Sequence, residues 1–286
     1  MKRRRIQRPR AQRGTAVIIA LLVLALAAAA ATAMLERQDL QTRGLQAQRD
    51  YEQARWMLRG GMHWARSILE ADARAGQSDN RRELWASGLP PTDVQLGSLA
   101  GEIRDEQAFF NLNGLVRSGK PHPPQVAALK RLLGFVGLAP ELADAIAGAI
   151  GAGGPLGDLG ELAGIGGLDV AALAKLQRYV TVLPRPTPVN VNTASAEVLA
   201  ALVEGLAVPE AQALVRRLAV EPVRTAGEFQ SRLREGLKLN AEDVSASSQF
   251  FVVQGRAQVG GADLRMQALL QRAGPGLPTI VWQRTS

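Results

Sequence analysis

The chain of 286 residues has no cysteine, two histidines and only 4% aromatic residues. Without cysteine there is no disulfide framework, thiolate zinc site or cysteine nucleophile. Two histidines, His63 and His122, cannot build a three-histidine zinc centre and leave little for a histidine relay. His63 lies beside Trp64 in a helical stretch and reads as a packing or surface residue. His122 sits in Lys-Pro-His-Pro-Pro and reads as part of a mobile loop. No Ser/His/Asp spacing, phosphate-cradling glycine loop or paired-carboxylate pattern stands out, so a non-enzymatic protein is expected. Acidic residues are also missing from positions 1–14, which hold seven Lys or Arg. The remainder carries 27 basic and 26 acidic residues, so the formal charge of +8 is a short tail on a nearly neutral protein. A nucleic-acid surface would need that excess spread over a folded face.

Charge is absent again from Thr15 to Leu35, 21 residues that read TAVIIALLVLALAAAAATAML. As a helix they span roughly 31 Å, about one hydrocarbon core. Nine of them are Ala, so membrane affinity rests on the first half, with Val17, Ile18, Ile19, Leu21, Leu22 and Leu24 as the anchor. Cations before the span and mixed charge after it put the N-terminus in the cytoplasm and export the chain from about Glu36. An ordinary secretory signal cut near Ala31-Thr32-Ala33 is the alternative. The helical pattern continues past the span: Leu40, Gly44, Ala47, Tyr51, Ala54, Leu58, Met62, Ala65 and Leu69 recur every three or four residues. One long helix is expected, apolar in its first half and amphipathic in its second. The stripe would pack partly on the chain's own sheet and partly on partner helices, the latter through Leu40, Tyr51, Leu58 and Met62.

Leu99–Leu115 reads as a strand followed by a polar turn. Three β-like runs follow Phe250, separated by Gly260-Gly261 and Gly274-Pro275-Gly276, as an antiparallel meander requires. Between these blocks, about 120–245, the pattern is helical. Thr225-x-x-Glu228 forms a capping box, Pro209 suits a first helical turn, and Pro184, Pro186 and Pro188 form an extended linker. Leu162–Val170 (LAGIGGLDV) fits the Gly-hydrophobic-Gly turn of a helix-hairpin-helix, whose backbone N–H groups contact phosphate in DNA-binding examples. The surrounding 158–182 has no basic face, so the glycines are expected to permit a tight helix crossing instead.

The short basic leader ending in Gly resembles those of type IV pilin-like proteins. That resemblance implies cleavage by a prepilin peptidase after Gly14 and N-methylation of the new N-terminal Thr15. Most such proteins carry Glu at the fifth mature position, thought to pair with a neighbour's N-terminal ammonium; here the position is Ile19. A subunit without it suits the fibre tip, where no subunit lies ahead. The pieces DEQAFFNLNGL at 105–115, VNVNTASAEVLAAL at 189–202, SSQFFVVQGRAQVG at 247–260 and the terminal VWQR together resemble the K minor pseudopilins of type II secretion.

The resemblance implies an α+β fold: a pilin-like long helix on a small antiparallel sheet, with a large inserted all-helical domain. The implied boundaries are a leader at 1–14, membrane helix at 15–35, amphipathic helix and first strands at 36–116, helical insert at 117–246 and terminal strands at 247–286. It implies a non-enzymatic inner-membrane protein, mostly periplasmic. It would sit with the I and J minor pseudopilins, other pseudopilins and the inner-membrane secretion platform at a pseudopilus tip, starting assembly and supporting export across the outer membrane. Family members can hold calcium in the helical domain. Here Asp144–Leu159 (DAIAGAIGAGGPLGDL) keeps only Asp144 and Asp158, too few carboxylates for that ion. No cofactor, metal or nucleic acid is therefore expected. The alternatives are a membrane-anchored DNA-uptake protein using the hairpin modules, or a minor type IV pilin.

Overall fold

The computed structural model describes residues 13–286 apart from Gln77 and Pro275; the leader at 1–12 lies outside the described residues. The first helix, α1, runs Arg13–Ala75 with no internal proline to stop it. At 1.5 Å per residue it is about 95 Å long. Every residue from Thr15 to Arg49 is exposed, and contact with the body of the protein begins at Asp50 and Ala54.

Behind α1 come two strands, β1 (Leu89–Val94) and β2 (Gly97–Asp105). The helical region follows, with α2 (Pro123–Phe135), α3 (Leu142–Gly153), α4 (Val170–Leu176), α5 (Ala196–Leu202), α6 (Val208–Val220) and α7 (Ala226–Ser231). The chain then closes the sheet with β3 (Phe250–Val259), β4 (Ala262–Gln271) and β5 (Thr279–Thr285). Strand order is β1-β2-β3-β4-β5, antiparallel throughout, so the helices are inserted between neighbouring strands β2 and β3. The fold is α+β.

One sheet face receives α1. Ala54, Leu58, Met62, Ala65 and Leu69 meet Phe251, Val253, Ala257, Leu264, Met266, Ala268 and Leu270. The helix comes close because β3 carries Gly255 beneath it, where a Cβ would stand 3.2 Å from Leu58 Cδ2. The other face, at Phe250, Val252, Leu269 and Trp282, is covered in part by Leu183. The helical region has a separate core built on Leu129, Leu132, Ile146, Leu162, Leu199, Leu214 and Phe229.

One sequence expectation changes here, and one strand forms in a stretch for which none was read. Leu89–Val94 contains Pro90-Pro91, which argues against a strand, yet it pairs with β2 as a sheet edge, where an absent N–H costs no ladder bond. His122 is not in a free loop: its backbone N–H donates to Leu115 O at 2.7 Å, and it caps α2, with Pro123 in the first turn.

Candidate assembly interface

The apolar half of α1 presents its side chains outward on all sides. Val17, Ile18, Ile19, Leu21, Leu22 and Leu24 are 58–69% exposed, and the best window there has a mean hydropathy of 2.7. That is long and apolar enough to cross a membrane. Gly14 and Thr15 lie in the first turn of the same helix.

Of the four residues expected to meet partner helices, the structure leaves two free for that purpose. Leu40 is 71% and Tyr51 47% exposed, but Leu58 and Met62 are only 2% and 4% exposed. Their surface is consumed by the protein's own sheet, so partner packing through them is ruled out. The available outward face is instead Trp56, Gly60 and Trp64, spaced four residues apart along one helix flank. Trp56 is 64% and Trp64 51% exposed, while a Cβ on Gly60 would meet nothing within 4 Å. Arg59 lies over the Trp56 ring at 4.7 Å. This leaves an uncovered glycine between two exposed tryptophans on the outward side of α1, a face against which another helix can pack. Beside Trp64, an apolar slot of about 140 Å³ opens between α1 and the β1–β2 edge, lined by Gly61, Ile68, Leu84, Leu89 and Leu99. Isolated exposed apolar residues need no explanation, but contiguous ones on a helix do. The i, i+4, i+8 spacing of these residues was readable in the sequence; it was missed because it lies off the buried stripe.

At the opposite end of α1 the helical region is tied to the sheet by buried polar groups, several of them in the segments 105–115, 189–202 and 247–260. One knot is Asn111 and Asn113. The Asn113 amide bonds Leu156 O at 3.0 Å, Leu183 O at 2.8 Å and Leu156 N–H at 2.9 Å; Asn111 Nδ2 donates to Arg185 O at 2.8 Å. A second knot brackets residues 189–248, where Val189–Asn190 pairs in parallel with Val244–Ser245. Here Asp105 Oδ2 accepts from Asn190 Nδ2 at 3.0 Å, Thr193 Oγ1 at 2.5 Å and Ser248 Oγ at 2.7 Å. Asp105 Oδ1 accepts from Gln107 N–H at 2.8 Å. Alongside, Arg272 donates to Asp72 at 2.9 Å, to both Asp79 oxygens at 2.5 and 2.6 Å, and to Ser248 O at 2.8 Å. Burial pushes the Asp105 carboxyl up to about 6. Burial also pushes Asp79 up to about 6, against the opposing pull of the Arg272 guanidinium.

Asp72, Asp79 and Glu83 bring carboxylate oxygens within 4.8 Å of one another. The Arg272 guanidinium already pairs with Asp72 and Asp79, while Glu83 accepts from Asn80 and Trp85. The two acids of 144–159 are engaged locally. Most of that stretch is α3, Asp144 pairs with Lys130 Nζ at 2.7 Å, and Asp158 accepts from Gly160 N–H at 2.6 Å.

The hairpin-like turn at 162–170 has a packing role. Gly164, Gly166 and Gly167 all have positive φ, and a Cβ on Gly166 would crowd Ala145 Cβ at 3.2 Å. The glycines let this turn lie against α3.

Residues 189–248 match the family model for "Type II secretion system (T2SS), protein K". The chain is 29% identical to type II secretion system protein K of Pseudomonas aeruginosa, covering 93% of this chain and 91% of that one. A shorter match, 31% identical over 45% of this chain and 41% of the relative, is to the protein of the same name in Klebsiella pneumoniae. In shape it resembles a chain in the crystal structure of the GspK-GspI-GspJ complex from enterotoxigenic Escherichia coli. That likeness has a TM-score of 0.72 at 22% identity and covers 84% of this chain and 98% of the solved one.

Proposed function

We propose that the chain is a type II secretion system protein K, the minor pseudopilin that begins a pseudopilus and remains at its tip. The observation that carries this reading is α1 itself. Its first half is exposed and apolar, and its second half lies on a sheet while turning Trp56, Gly60 and Trp64 outward. A helix of that kind is held by a membrane at one end and by neighbouring helices at the other. The K-family relation supports I- and J-type minor pseudopilins as those neighbours.

The remaining steps follow from the same parts. The seven-cation leader favours a cytoplasmic N-terminus, with the folded body on the far side of the inner membrane. A prepilin peptidase would cut between Gly14 and Thr15, and Thr15 would then be N-methylated. Ile19 offers no carboxylate to a subunit ahead, so nothing is lost when none is there. The helical region sits at the C-terminal end of α1, opposite its apolar half, where Asp79 N–H donates to Ala246 O at 2.9 Å and Arg82 to Val220 O at 2.7 Å. Its bulk stands where a further subunit would stack. The work is mechanical and steric, without a reaction catalysed by this chain.

The mass of the mature N-terminus after coexpression with a prepilin peptidase tests the pathway. A chain beginning at Thr15, with or without one added methyl, is expected. Cleavage near Ala33 or an intact Met1 would overturn the pilin-like processing.

A further inference from the structure

Asp105 stands at a crossing of three segments distant in sequence: the end of β2, the turn 190–193, and Ser248 ahead of β3. It is 2% exposed and accepts four hydrogen bonds. Among the described residues no cation contacts it, because each nearby charge is turned elsewhere. Arg272 is spent on Asp72 and Asp79, Arg104 on Glu106, and Arg81 on Thr193 O. The acids facing it are equally occupied. Glu83 accepts from Asn80 and Trp85, Glu106 from Arg104 and Thr181, and Asp243, at the start of the 244–245 ladder, from Arg117 and Asn240. Asp79 is the nearest like charge and adds to the cost of ionising Asp105.

We propose that Asp105 is a protonatable clasp that fastens the helical lobe 189–248 to the sheet, closing tighter when the carboxyl takes up a proton. The geometry accommodates the neutral acid without moving heavy atoms. The hydroxyls of Thr193 and Ser248 can rotate, so one accepts a hydrogen bond from the acid's O–H while the other still donates. Thr193 Oγ1 already has Asn190 O at 3.3 Å as an alternative acceptor. The ionised form accepts all four hydrogen bonds, which pull its value down, but burial without a counter-ion outweighs them and favours any opening that returns the charge to water. A folded-state value near 6 lies above the 3.8 of a solvated carboxyl, so the closed lobe binds the proton more tightly than the open one. The extra stability is therefore fully present below about pH 4 and is lost as pH rises through about 6. Since the effect resides in this chain alone, it stands or falls separately from the identity of its partners.

Hydrogen exchange of the full chain in detergent micelles reads the opening directly, in peptides spanning 189–195 and 244–250. After correction for intrinsic rates, their opening should be on the order of tenfold more frequent at about pH 7.5 than at about pH 4.5. Asp105→Asn should remove the larger part of that dependence, and Asp79→Asn, whose carboxyl is also pushed up, a smaller part. Equal corrected protection at both pH values in the wild-type chain would overturn the proposal, whether or not Asp105→Asn folds. A step that persists in Asp105→Asn and disappears in Asp79→Asn would overturn it as well, by moving the proton to the Asp79–Arg272 pair.

Discussion

Arg272 balances the interior charge at the residue scale. Its side chain is only 9% exposed, reaches Asp72 and Asp79, and lies over the Phe251 ring at 4.8 Å. Arg272→Leu keeps apolar volume but leaves two partly or wholly buried carboxylates without their cation. Breaking such a pair costs roughly 3–5 kcal/mol. For a chain of this size, that is a fall of about 10 °C in Tm by thermal unfolding in detergent. A loss below about 1 kcal/mol would mean the carboxylates simply bind protons and need no guanidinium. Nothing local in the sequence announced this group. Asp79 and Arg272 are 193 positions apart, and neither belongs to a spacing that a helix or strand would repeat. The asparagines were easier to notice, because Asn111 and Asn113 stand in a run that reads as a polar turn and Asn190 and Asn192 in a segment that carries the family resemblance. Their role in tying distant segments together required the closed fold.

At the scale of elements, α1 shows both what periodicity can reveal and where it stops. The stripe of apolar residues correctly marked Ala54, Leu58, Met62, Ala65 and Leu69 as one buried face, since helical spacing is a local property. The same stripe continues through Tyr51, half-exposed beside the hairpin tip, and Leu40, which remains exposed because the sheet ends before it reaches it. The β3–β4 hairpin extends only as far as Asp50, whose carboxylate accepts from Gly261 N–H at 3.2 Å. Where a sheet ends is set by hairpin length and register, and no pattern within the helix reports it. The outward face makes a separate prediction. Gly60→Ala should leave the isolated chain unchanged or more stable by up to about 1 kcal/mol, since the added methyl touches nothing and alanine favours helix. Gly60→Leu should likewise fold, yet weaken partner binding by adding bulk between the two tryptophans. Leu58→Ala, on the buried face, should cost about 2–5 kcal/mol. Chemical denaturation of the three variants, alongside binding assays, separates the faces; equal destabilisation by Gly60→Leu and Leu58→Ala would refute the division.

The whole molecule is a membrane rod with a folded head, and the head carries an inserted helical region with its own core. Its α+β class and the placement of helices between strands were legible because turn signals and changes of period are written along the chain. How that region is held was not, since the two polar knots join residues 43 to 169 positions apart. This arrangement has a functional logic: one end offers apolar helix to a membrane and neighbours, and the other carries bulk fastened by buried hydrogen bonds. The central claim is that this chain acts in company, as a tip subunit. The most direct measurement is native mass spectrometry of the full chain coexpressed in membranes with I- and J-type minor pseudopilins and extracted in mild detergent. The account predicts a complex containing one copy of each of the three. Recovery of this chain alone or as a homo-oligomer, with both partners present and folded, would contradict it.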